Sequence, residues 1–142
     1  MRAHRYVLRV YYEDTDAGGV VYHANYLRFA ERARTEAMRQ AGVPHSQLAH
    51  DHGLFFMVRR IEMEYLRPAR LDDALEVLTE PLAMGAATAR IRQSFLRAGD
   101  EAAGVLAVAH LRLACVRIRD GRPGRIPDRW RVALAPESEG VG

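Results

Sequence analysis

The chain has 142 residues, of which 49% are hydrophobic and 27% charged, with a formal net charge of +3. That length fits one domain with a proper core. No apolar run reaches the roughly 18–20 residues that cross a bilayer, and the single cysteine, Cys115, excludes an intrachain disulfide framework. All 21 cations are arginine, spread along the chain without a basic run or an interleaved aromatic array, which argues against nucleic-acid binding. Met1 to Tyr6 carry no apolar signal core, so a cytoplasmic location is expected.

Residues Tyr6–Tyr12 alternate with branched and aromatic side chains, which predicts a strand. The stretch from Val10 to Tyr26 then reads as a strand running into a glycine-bearing loop that opens a helix. From about Tyr22 to Ala41 the spacing is helical, with Tyr26, Ala30, Ala33, Ala37 and Ala41 on one stripe. Arg28, Glu31, Arg32, Thr35 and Glu36 fall outside that stripe, toward solvent, a cleft or a partner. Gly42 and Pro44 end the helix. Pro44–Gly53 is polar and histidine-rich, a short helix or loop.

Strands are expected over Phe55–Tyr65, Ala74–Leu82 and Thr88–Leu96, the first with Phe55, Met57, Ile61 and Met63 on one parity. Ala98–Glu101 reads as a hairpin turn. The last strand, about Ala102–Arg119, is apolar on both parities over much of its length and is therefore expected inside the sheet. Asp120–Gly124 is a break, and Pro136–Gly142 is expected to be a disordered tail, leaving 1–135 as one domain. One long helix covers five strands only if the sheet curls around it. The expected class is α+β, a curved antiparallel five-stranded sheet around a central helix, with an alanine stripe that allows close approach.

The junction carries the chemistry. The run Tyr11-Tyr12-Glu13-Asp14-Thr15-Asp16-Ala17-Gly18-Gly19-Val20-Val21-Tyr22-His23-Ala24-Asn25-Tyr26-Leu27, then Phe29 and Glu31 to Glu36, resembles the YbgC-like acyl-CoA thioesterases, hotdog-fold relatives of 4-hydroxybenzoyl-CoA thioesterase. A second block, Glu64 to Asp73, also matches. The resemblance implies thioester hydrolysis without a metal or other cofactor, coenzyme A being part of the substrate. It implies Asp16 as the essential carboxylate, with Tyr12 and His23 lining the same site. It further implies a homodimer or homotetramer with the site at the subunit interface. Some family members associate with acyl carrier protein, and Gram-negative members are encoded beside the Tol–Pal envelope machinery.

Those residue types suit the reaction. Water is a poor nucleophile at neutral pH, so hydrolysis needs a carboxylate as direct nucleophile or as general base, and Asp16 can serve either way. A backbone N–H at the helix start, that of His23, would hold the oxygen that gains charge, with the helix dipole adding to it. Gly18 and Gly19 let the backbone approach substrate, and Gly19, Val20 and Tyr22 are candidate substrate contacts. The His23 side chain orients substrate, Asp16 or a water, or else caps the helix. Tyr12 hydrogen-bonds in the site or is a buried strand tyrosine. Asp14 is read as structuring the loop. Glu31 is expected in a salt bridge with Arg28 or Arg34. Arg59, beside Arg60, and Arg90 with Arg92 on one strand face are candidates for the coenzyme A phosphates.

Other signals carry less. The spacing of His45, His50, Asp51 and His52 fits no metal motif and reads as a solvated loop. Cys115 is expected to be a buried structural thiol, and His110 a packed or partly exposed strand histidine. No GxGxxG or P-loop is present. Two rival readings share the fold: a dehydratase or hydratase acting on acyl thioesters, and a non-catalytic acyl-carrier or envelope-complex adaptor.

Overall fold

A computed structural model describes residues 1–137. The elements in chain order are β1 (His4–Arg9), α1 (Asn25–Gln40), α2 (His45–His52), β2 (Leu54–Tyr65), β3 (Ala74–Met84), β4 (Thr88–Arg97), β5 (Val105–Arg117) and α3 (Asp128–Leu134). The five strands form one antiparallel sheet in the order β1-β3-β4-β5-β2. The apolar run of β5 lies between β4 and β2, inside the sheet as its composition predicts, although His110 and Arg112 reach the exposed outer face.

The alanine stripe sets the packing. Tyr26, Phe29, Ala30, Ala33 and Ala37 of α1 are buried, and all but Ala37 share one core with Leu75 and Val77 of β3, Ile91 and Phe95 of β4, and Leu111 of β5. Small side chains let the helix backbone lie close to the sheet. The large ones, Tyr26 and Phe29, concentrate at its N-terminal end, and burying each such side chain contributes about 1.5–3 kcal/mol. The helix stops at Gly42, whose φ of +79° a side chain would strain.

Several expectations are corrected. β1 ends at Arg9, because the Asp14 carboxylate takes the Tyr11 N–H and the chain turns into a 3-10 segment at Tyr12–Asp14. In β2 a bulge between Val58 and Arg60 reverses the parity. Before it Phe56 packs inward and Phe55 and Met57 are exposed; after it Ile61 and Met63 pack on the core. The single stripe of Phe55, Met57, Ile61 and Met63 therefore does not exist. β5 begins at Val105, after a 3-10 turn at Glu101–Ala103. The histidine-rich segment is a helix, α2, ended by Gly53 at φ +62°, and not a solvated loop.

The region after Arg119 holds a helix that the sequence reading did not find. Trp130 of α3 and Ile126 before it join Met38, Val43, Leu48, Leu54 and Cys115 in a second buried cluster. Cys115 is buried, as expected, and burial raises its thiol above the ordinary value. Residues 138–142 of the expected Pro136–Gly142 tail lie outside the described residues; Glu137 pairs with Arg2 at 3.1 Å. Among the described residues no helix is long and apolar enough to cross a membrane.

Candidate active site

Asp14 builds the junction. It is buried, and its two oxygens accept the Tyr11 N–H at 2.8 Å and the Asn25 side-chain amide at 2.7 Å. The Tyr22 N–H donates to its carbonyl at 2.9 Å. One residue thus ties the exit from β1, the loop return and the first residue of α1 together. These contacts are those of a loop-structuring acid.

Past Asp14 the chain makes a small hairpin. Thr15 pairs with Val21, the Asp16 N–H donates to the Val20 carbonyl at 2.9 Å, and the Gly19 N–H donates to the Asp16 carbonyl at 3.0 Å. Gly19 has φ +77°, where a side chain costs about 1–2 kcal/mol. The hairpin is anchored on the β2–β3 connection: Val20 pairs with Arg70, and the Val21 N–H donates to Ala69 at 2.8 Å.

The Asp16 side chain stands exposed on this hairpin. Its Oδ1 accepts the Gly18 N–H at 2.9 Å, and a Cβ on Gly18 would come within 3.2 Å of that oxygen. The glycine therefore permits the close backbone approach that orients the carboxylate. Two positions beyond Val21, His23 leads into α1 with its side chain exposed and its ring 4.5 Å from that of Tyr22. No side chain caps α1, and the His23 N–H has no acceptor among the described residues. That free donor sits at the positive end of the helix.

Tyr65 is a site residue that sequence reasoning missed. Its hydroxyl donates to the His23 carbonyl at 2.7 Å, and its ring packs edge-on against Tyr26 at 5.3 Å. Tyr26 in turn meets Phe95 at 5.2 Å. Burial raises both phenols above the ordinary tyrosine value, which keeps them neutral donors. The usable signal was the Glu64–Asp73 block, in which Tyr65 looked like one more strand aromatic. Tyr12 is not a buried strand tyrosine: it is 83% exposed on the 3-10 segment.

The candidate arginines lie elsewhere in the chain. Arg92 is held in a two-pronged pair by Glu80, at 3.0 and 3.3 Å. Arg59 and Arg90 border a shallow cleft with Arg112, which the sequence reading did not single out. Arg60 and Arg90 both stand opposite Arg112 in the register, and the three form a row across the outer face. Like charges directly opposite destabilise a sheet, so an anion over this row would relieve repulsion. Arg59 and Arg60 lie at the middle of β2, five or six residues or ~16–20 Å from its Tyr65 end. One chain therefore does not bring them to Asp16.

Glu31 makes no ion pair with Arg28 or Arg34 among the described residues, contrary to expectation. His110 is exposed on the outer face. Asp51 bonds His50 at 2.9 Å, and the ring of His52 meets Trp130 at 5.2 Å. No group of three His, Cys, Asp or Glu side chains that could hold a metal occurs among the described residues.

The chain is similar to known proteins in sequence and in fold. The model of the thioesterase-like superfamily matches residues 10–134. Acyl-CoA thioesterase YbgC of Haemophilus influenzae is 40% identical over 89% of this chain and 90% of its own length. Acyl-CoA thioester hydrolase YbgC of Escherichia coli is 42% identical over 87% of this chain and 89% of its own. A probable thioesterase from Bartonella henselae superposes with a TM-score of 0.79 at 36% identity, covering 88% of this chain and 99% of that one. A 1,4-dihydroxy-2-naphthoyl-CoA thioesterase from Synechocystis, at 21% identity and a TM-score of 0.83 over 93% and 95% of the two chains, shares the fold. With a hotdog sheet-and-helix fold and a family match across almost its whole length, this chain belongs to the thioesterase-like superfamily and is a thioester hydrolase.

Proposed function

We propose that this protein hydrolyses acyl-CoA thioesters to free acid and thiol, with Asp16 as the reacting carboxylate. The observation that carries the reading is the contrast between two aspartates two residues apart. Asp14 is buried and occupied by hydrogen bonds, whereas Asp16 is exposed, oriented by the Gly18 N–H, and shares its hairpin with an uncapped helix start. The YbgC relatives, named for action on acyl-CoA, support the substrate class.

Two routes balance. As a nucleophile, Asp16 attacks the carbonyl, expels the thiolate and leaves a mixed anhydride that water hydrolyses. As a general base, it takes a proton from water, the hydroxide adds, and the tetrahedral adduct expels the thiolate. In both, the His23 N–H holds the developing oxyanion, a contribution of about 10²–10³ in rate. The His23 ring and the exposed Tyr12 hydroxyl orient substrate or water, and Gly19, Val20 and Tyr22 border the thioester. Coenzyme A enters as part of the substrate, and neither route draws on a cofactor.

The reading includes a homo-oligomer. β2 is a free edge of 12 residues that exposes Phe55, Met57, Val58 and Tyr65. Unpaired N–H and C=O groups beside exposed apolar side chains suit a second copy of the same edge. Arg59, with Arg90 and Arg112 of the outer row, is the cationic surface proposed for the coenzyme A phosphates. Arg92 would have to leave Glu80 to join them. A cytoplasmic setting, acyl carrier protein as an alternative thioester donor, and association with Tol–Pal extend the proposal on the family resemblance.

The test separates hydrolysis from the rival hydration chemistry. Incubation with 3-hydroxyacyl-CoA and saturated acyl-CoA should release free thiol from the saturated substrate, with no enoyl-CoA from the hydroxylated one. Enoyl formation without thiol release would favour a dehydratase, and binding of thioesters without turnover an adaptor.

A further inference from the structure

Beneath the C-terminal half of α1 lies a cavity of about 440 Å³. Its walls are largely apolar, with Phe55, Phe56 and Val58 from β2, Met84 from β3 and Ile91 from β4. Arg34 and Arg90 break that lining. Arg34 is half-buried beside Ala33 and Ala37, and its Nη1 donates to the Gln93 Oε1 at 3.1 Å. Gln93 is completely buried, and its amide nitrogen donates to the Ala30 carbonyl at 2.9 Å and to the Thr79 hydroxyl at 3.0 Å. The amide is locked by the helix backbone and by its cross-strand neighbour, so its oxygen fixes the guanidinium at the cavity wall.

No carboxylate pairs with Arg34 among the described residues. Glu31 lines the same cavity with an exposed side chain, and His45 and Thr79 complete the polar wall near Arg34. Burial shifts the Arg34 guanidinium downward against the pull of Glu31. A guanidinium partly withdrawn from water is costly unless an anion or other acceptor meets it, and its planar fork fits a carboxylate best. An apolar chamber with an aimed and unpaired cation suits an apolar chain that ends in a carboxylate.

The wall formed by Phe55–Val58 lies seven to ten residues, about 23–33 Å along β2, from the Tyr65 end that holds the Asp16 hairpin. A short acyl chain does not cross that span. Antiparallel pairing of two β2 edges about their middle sets the Tyr65 end of one copy against the Phe55 end of the other. An acyl thioester over Asp16 of one copy then extends into the cavity of the second.

We propose that this cavity receives the acyl group and that Arg34, positioned by Gln93, selects acyl groups carrying a carboxylate at their far end. The inference rests on the thioesterase reading of Asp16. Its test compares kcat/KM for length-matched pairs, hexanoyl-CoA with adipoyl-CoA and octanoyl-CoA with suberoyl-CoA, in wild type, Arg34→Met, Arg34→Lys and Arg28→Met. Arg28→Met removes the same charge from an exposed position on the same helix. In at least one pair the wild type should prefer the carboxylated substrate by about tenfold or more, the worth of a charge-assisted hydrogen bond. Arg34→Met should abolish that ratio, Arg34→Lys should retain part of it, and Arg28→Met should leave it unchanged. A wild-type ratio at or below one in both pairs overturns the inference whatever the variants do, as does an unchanged ratio in Arg34→Met. Thiol release without preference defeats only the inference; no thiol release from any of the four defeats the proposed function with it.

Discussion

Replacing Asp14 or Asp16 by alanine should give opposite phenotypes although the two residues are two positions apart. Asp14→Ala strands the Tyr11 N–H and the Asn25 amide, both in partly buried settings. Each unmet donor costs about 1–3 kcal/mol, so the loss should be about 2–6 kcal/mol. That is a large share of the ~5–15 kcal/mol that holds a domain together. At roughly 3–4 °C per kcal/mol for a chain of this size, Tm should fall by about 6–24 °C. Asp16→Ala removes one exposed bond, to the Gly18 N–H, which water replaces, and should change stability by less than about 1 kcal/mol. Urea unfolding gives the stabilities, and thiol release from acyl-CoA gives the activities on the same samples. The reasoning fails if Asp14→Ala is as stable as wild type, or if Asp16→Ala is destabilised as much as Asp14→Ala.

Gly18→Ala brings a methyl group within 3.2 Å of the Asp16 Oδ1 and should push the carboxylate off its N–H, lowering kcat by about tenfold with little change in Tm. Trp130→Ala empties the centre of the second buried cluster and should cost about 3–5 kcal/mol by denaturant unfolding. His45 sits below the ordinary histidine value because burial, with Arg34 and Arg39 nearby, disfavours its cation against the pull of Glu31. The unfolded chain then binds the proton more readily, so stability should fall as pH drops below about 6.5. His45→Gln should flatten the Tm profile between pH 7 and 5; an identical slope in both proteins would contradict the assignment.

Periodicity alone exposed the helix and the strands, because α1 and β3–β5 are each buried along a regular face. The alanine stripe told how closely α1 would lie on the sheet. The same logic failed in β2, where an extra residue between Val58 and Arg60 turns the chain over, and no residue type there announces a bulge. It failed again at Tyr11–Tyr12, where strand-like residues are pulled into a turn by a hydrogen bond from outside the strand. α3 was invisible because its seven residues carry a single anchor, Trp130, whose partners are far away in sequence. The Asp16 block stood out as a contiguous run. The contacts of Tyr65 with His23 and of Arg34 with Gln93 join residues separated by 42 and 59 positions, a proximity that only the folded sheet creates.

The central claim is that Asp16 performs the hydrolysis. Thiol release from acyl-CoA by Asp16→Asn, at a Tm matching wild type, tests it most directly, since the amide keeps the shape and the Gly18 contact but cannot act as base or carboxylate nucleophile. The account predicts that kcat falls by about 10²–10⁴. Turnover by Asp16→Asn at the wild-type rate would contradict it.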